Sequence, residues 1–150
     1  MGGCGRGRAG DYETVLRRDV ASLGLGNRVR FLGHLQPAAL ARLMSAADVF
    51  CLASSREGWP NVLHEALACG TPVVAADVGA VPEMIPSEAL GIMVAPDDIQ
   101  ALETGLRKAL AHPWDRAAIA RWGQTRSWQQ VAAEVLQEMG RALEECGDAR

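Results

Sequence analysis

The segment VFCLASSREGWPNVLHEALACGTPVVAA, residues 49–76, carries the pattern that decides the fold. It opens on the apolar run Val49 to Ala53, crosses the polar stretch Ser54 to Gly58, and meets Pro60. Val62, Leu63, Ala66 and Leu67 then recur at helical intervals before Gly70 and Pro72, and a second apolar run, Val73 to Ala76, follows. Strands wetted on one face alternate apolar and polar residues, whereas strands covered on both faces do not. Two non-alternating runs joined by a helix over Asn61 to Ala68 therefore predict a β-α-β unit of a parallel sheet. Pro60 fits the first helical position, where its missing N–H costs nothing.

The alternation extends in both directions. Upstream, Val15, Leu16, Val20 and Leu23 have helical spacing, with Asp11 as N-cap and Gly24 and Gly26 as a stop. Val29 to Leu32, closed by Gly33, reads as a strand, and Pro37 opens a helix through Leu40, Leu43, Met44 and Ala47. Downstream, Ile92 to Ala95 reads as a further strand. Asp97 or Asp98 caps a helix carrying Ile99, Leu102, Leu106 and Leu110, which Pro113 ends, and a shorter helix covers Arg116 to Trp122. Ser127 is the expected cap of a last helix whose apolar stripe includes Trp128, Val131, Val135, Leu136, Met139 and Leu143. The expected fold is α/β, a doubly wound parallel sheet over residues 11–126, preceded by a glycine-rich tail at 1–10 and followed by an amphipathic helix at 127–146.

Composition narrows the function. The chain has 150 residues, the length of one domain, with 49% hydrophobic and 22% charged residues, as in folded globular proteins. Fifteen Lys and Arg against 18 Asp and Glu give a net charge of −3 with no basic stripe, so nucleic acid is not an expected partner. No stretch reaches the roughly 18 apolar residues of a membrane helix, and no signal-peptide core is present. The expected location is the cytoplasm, free or peripheral at the inner membrane face. The four cysteines are scattered without a C-x-x-C pair, which predicts neither a zinc site nor a disulfide framework. Cys51 and Cys69 read as small core residues. Gly5, Gly7 and Gly10 fit G-x-G-x-x-G, but only four residues precede them, too few to form the strand a dinucleotide loop requires.

Chemistry concentrates in the decisive segment. The amides of Gly58 to Val62 and the positive end of the helix dipole lie at the sheet's carboxyl edge, where open α/β sheets bind ligands and where anions are favoured. Glu57 and Glu65 would repel a phosphate at close range, but a carboxylate accepts hydrogen bonds from neighbouring hydroxyls of a ribose or hexose. A diphosphate flanked by sugars satisfies both features, and a nucleotide sugar has that form.

The same residues resemble a known family. Glu57-Gly-Trp-Pro-Asn61 and Glu65-Ala-Leu-Ala-Cys-Gly-Thr-Pro-Val-Val74 are similar to the donor-binding half of retaining GT-B glycosyltransferases. The resemblance continues through Asp77-Val-Gly79-Ala-Val-Pro82-Glu83, Gly91 to Pro96, Arg28 to His34, Ala47-Asp48-Val49 and Ser127-Trp128. It implies a glycosyltransferase that transfers a sugar from a UDP- or GDP-sugar to a glycan, lipid or small-molecule acceptor with retention of configuration. It further implies Glu57 as the catalytic residue beside the transferred sugar and Glu65 on the ribose hydroxyls. Backbone of Gly58, Trp59, Asn61 and Val62 would hold sugar and diphosphate, and Gly33, His34 and Leu35 would lie by the base. No cofactor or metal is implied, since fixed donors stabilise the leaving diphosphate.

The family's donor half also carries a first strand, a glycine turn and an Arg and Lys that this sequence lacks, and a separate first Rossmann domain. The expectation is thus a partial donor domain, weak in donor affinity and inactive by itself, with a non-catalytic α/β module as the alternative. Its last helix would dock on that missing domain or drive self-association. Ala80 stands where the family often has glycine, and His64 reads as a packing or solvent-facing residue. Trp114, Trp122 and Trp128 read as core, Trp59 as a rim residue of the cleft, and Arg107, Lys108 and Arg116 as a solvated face.

Overall fold

A computed structural model describes residues 9–125 and 128–147. The chain divides into two compact units, the first ending at Leu35 and the second beginning at Gln36. The glycine motif's Gly5 and Gly7, and Ser127 as a cap, lie outside the described residues.

The first unit is built on α1 (Ala9–Ser22), which begins two residues before Asp11 and so takes in the end of the stretch read as a tail. Asp11 is therefore inside the helix, not its N-cap. The stop falls where expected. Gly24 adopts φ +66°, its N–H donates to Ala21 O and that of Leu25 to Val20 O, the paired bonds that close a helix on a left-handed glycine. Val29 to Leu32 is not a strand. Arg28 and Val29 both donate back to Leu25 O, forming a turn, and the described part of this unit holds no other strand for a ladder. Phe31 instead lies under the Arg17 guanidinium, 4.3 Å from its ring centre, while Arg17 pairs with Glu13.

The second unit contains a parallel sheet of β1 (Phe50–Leu52), β2 (Val73–Ala76) and β3 (Gly91–Val94), in that order. β3 lies one residue earlier than its apolar run suggested. The helices are α2 (Pro37–Ala46), α3 (Asn61–Ala68), the short α4 (Val81–Met84), α5 (Ile99–Ala111), α6 (Arg116–Gly123) and α7 (Trp128–Gly147). The pattern did not reveal α4, a single turn of four residues. Pro37 occupies the first turn of α2, and Asp98 caps α5 by accepting from the amides of Gln100 and Ala101 at 2.9 Å. Pro60 is the residue before α3 rather than its first.

Helices cover both faces of the sheet, as the doubly wound reading requires. On one face Leu63, Ala66 and Leu67 of α3, Val81 and Met84 of α4 and Ile119 of α6 join Val73 and Ala75 in a single buried cluster. Each large apolar side chain buried this way contributes about 1.5–3 kcal/mol. α6 approaches α3 so closely that a side chain at Gly123 would begin 2.3 Å from the Ala68 nitrogen. On the other face α5 covers Val74 and Val94.

Two expectations fail within this core. Cys51 is exposed, because its side chain leaves β1 on the face that α5 covers sparsely. Partial desolvation still pushes its thiol above the ordinary value. Cys69, by contrast, packs against the main cluster. Arg116 is not a solvated surface charge. Its guanidinium donates to Ala47 O at 2.7 Å, Ser45 O at 2.8 Å and the Thr71 hydroxyl at 3.4 Å, while that hydroxyl donates to Met44 O. The free carbonyls at the end of α2 are thereby satisfied from α6, a cation at the negative end of the helix dipole.

Candidate functional site

All three strands are parallel, so the loops after Leu52, Ala76 and Val94 emerge at one edge of the sheet. The first of these loops carries Glu57, half-buried, then Gly58 and Trp59, both exposed, with Trp59 keeping 41% of its surface. Asn61 opens α3. No side chain caps that helix, and the Leu63 amide folds back onto Pro60 O, so the amides of Asn61 and Val62 lack intrahelical partners. The side chain of Val62 packs on the main cluster, which leaves its amide as the group available to a ligand. Glu65 is exposed in the second turn, about 6 Å along the helix axis from Asn61. The ring of His64 lies 6.2 Å from that of Trp122.

The second loop locks the first. Gly79 has φ +55°, and a Cβ there would sit 2.1 Å from Glu57 O, so only glycine permits the approach. The Ala80 amide donates to Gly58 O at 3.0 Å. The backbone at the Glu57–Gly58 peptide is thus held against the turn after β2. Charge and apolarity patterns could not show this interlock; the glycine of Asp77-Val-Gly79 was its only trace. At the third loop, Asp97 takes a left-handed φ of 57°, a conformation that Asp tolerates better than most residues. It borders a cavity of about 300 Å³ with Asp98, Ala53, Ala76, Ala95 and Leu102.

Glu57, Gly58, Trp59, Asn61, Val62 and Glu65 are therefore brought together on one loop and the helix that follows it. Gly33, His34 and Leu35 belong to the first unit, with Gly33 at φ +61° in an exposed turn and Leu35 half-buried. Among the described residues no group of three His, Cys, Asp or Glu is placed to hold a metal ion, and no helix is long and apolar enough to cross a membrane.

A parallel sheet covered by helices on both faces fits the GT-B donor-binding domain that the sequence resembles. The chain belongs to the glycosyl transferases group 1 family, whose model matches residues 3–126. The D-inositol 3-phosphate glycosyltransferase of Salinispora tropica is 36% identical over 139 residues, 90% of this chain and 29% of that protein. The MMP α-(1→4)-mannosyltransferase of Mycolicibacterium hassiacum is 33% identical over 130 residues, covering 83% of this chain and 32% of that protein. Among solved structures, Anabaena HepE in complex with UDP and glucose superposes with a TM-score of 0.71 at 30% identity, over 90% of this chain and 37% of that one. Sucrose-phosphate synthase of Thermosynechococcus elongatus gives 0.69 at 30% identity, over 99% of this chain and 38% of that one. The chain thus spans about a third of the length of these relatives.

Proposed function

We propose that the chain binds a nucleotide-sugar donor, a UDP- or GDP-sugar, for transfer to a glycan, lipid or small-molecule acceptor with retention of configuration. The observation that carries this reading is the locked loop: the Glu57–Gly58 backbone is held against Gly79 and Ala80, just ahead of a helix whose first amides are unpartnered. Those amides and the helix dipole favour the diphosphate as it takes up charge on leaving, without a metal ion. Glu57 faces the transferred sugar, taking its hydroxyls and supporting positive charge at the anomeric carbon. Glu65, a turn further on, accepts from the ribose hydroxyls. The complex of HepE with UDP and glucose supports the ligand class.

We further propose that donor affinity is about millimolar or weaker, on the order of −4 kcal/mol, because Glu57 and Glu65 repel the diphosphate. We place the protein in the cytoplasm or at the inner membrane face. The exposed Val135, Leu136 and Met139 of α7 belong against another domain or a second copy. Sedimentation should show association that rises with concentration and is lost in Leu136→Glu; a monomer at every concentration would remove the second copy.

Saturation-transfer NMR with UDP-glucose, GDP-mannose and NADH tests the donor reading. The expected result is signal on ribose and sugar protons of one nucleotide sugar, abolished by Glu65→Ala. Equal signal in that variant removes the role of Glu65, and no signal with any of the three leaves a non-catalytic module.

A further inference from the structure

The amino edge of the sheet, at the other end of β3 from Asp97, borders a cavity of about 730 Å³, within the range of about 300–1,000 Å³ usual for small-molecule sites. Trp114 lines it. The indole is pinned by its N–H, which donates to Ala109 O at 2.7 Å, and by the His112 ring 4.3 Å away. Ile92 and Met93 of β3 extend the apolar wall. Two exposed charges of opposite sign, Glu88 and Lys108, stand on the lining, and neither side chain has a hydrogen-bond or ion-pair partner among the described residues.

We propose that this cavity binds one pyranose ring of a neutral saccharide, with Trp114 against its C–H face and Glu88 and Lys108 on its hydroxyls. The carboxylate only accepts hydrogen bonds and the ammonium only donates, while a sugar hydroxyl does both. The negative face of an indole attracts the weakly polarised C–H bonds of a pyranose. Other ligand classes fit worse. A phosphate attracted by Lys108 is repelled by Glu88, and a wholly apolar ligand would strip water from both charges and return nothing. A neutral polyol with one apolar face meets every group. The site goes beyond the donor reading and does not depend on it, because the length of β3, about 13 Å, separates the two edges.

Titration of the ¹⁵N-labelled chain with methyl α-D-glucopyranoside tests the proposal. The expected result is saturable shifts of the Trp114 indole N–H and of the Ile92 and Met93 amides. Glu88→Gln and Lys108→Met should each weaken binding at least about threefold, while Glu65→Ala leaves it unchanged. Trp114→Phe should weaken it further; if that variant fails to fold, the two exposed substitutions still decide. No saturable shift at tens of millimolar, or binding unaltered in both rim variants, overturns the proposal. The same shifts with inorganic phosphate and none with the glucoside overturn it in favour of an anion site.

Discussion

The two faces of the sheet share the same strands and differ sharply in how they are covered. Among the described residues, eleven buried ones form a cluster on the face of α3, α4 and α6, against three on the face of α5. β2 shows the division within four residues: Val73 and Ala75 enter the large cluster, and Val74 enters the small one. The candidate donor site belongs to the well-packed face, since α3 carries Glu65 and buries Leu63 and Leu67 completely. A helix start holds unpartnered amides in place for a ligand only when the rest of the helix cannot shift. The sparse face exposes Cys51 and leaves Ile99 83% exposed, so it contributes surface more than rigidity.

Matched truncations test this contrast. Leu67→Ala opens a cavity in the large cluster and should cost about 2–5 kcal/mol. Leu102→Ala, on a half-buried residue of α5, should cost about 1 kcal/mol. Urea unfolding followed by circular dichroism measures both, and equal losses would mean that the two faces carry the fold equally.

A third substitution separates stability from binding. Gly79→Ala places a Cβ into Glu57 O at a left-handed backbone position, and the strain should cost about 1–3 kcal/mol. The loop bearing Glu57 must then shift, so donor saturation-transfer signal should fall at temperatures where circular dichroism still shows a folded chain. Full signal in a folded Gly79→Ala variant would show that the interlock does not position the site.

The division between legible and hidden features follows the same physics. Helices α3, α5 and α6 were readable because proline, aspartate and glycine mark their ends locally, and β1 and β2 because both of their faces are apolar. The placement of Glu57 ahead of α3 and of Glu65 within it was readable because Pro60 marks the helix start locally. Val29 to Leu32 misled because a strand is made by its neighbour, and the sequence of one segment does not show whether a neighbour is there. Arg116 misled for a similar reason: its acceptors at Ser45 and Ala47 lie about seventy residues away, with nothing in its own surroundings to mark them. The Gly79 interlock and the Trp114 cavity likewise join loops remote in sequence.

The smallest effect tests how dry the sparse face is. Cys51 is exposed there, yet desolvation raises its thiol above the ordinary value of 9.0. The folded state therefore favours the neutral thiol, and this contribution to stability is fully present below the unfolded value and lost as pH rises through the folded one. In a variant with the other cysteines changed to serine, alkylation by iodoacetamide near pH 8 should be slower in the folded chain than in urea, and stability should decline slightly in the alkaline range. A folded rate equal to the unfolded rate would mean that water reaches Cys51 freely, making the face under α5 thinner still than its three buried residues imply.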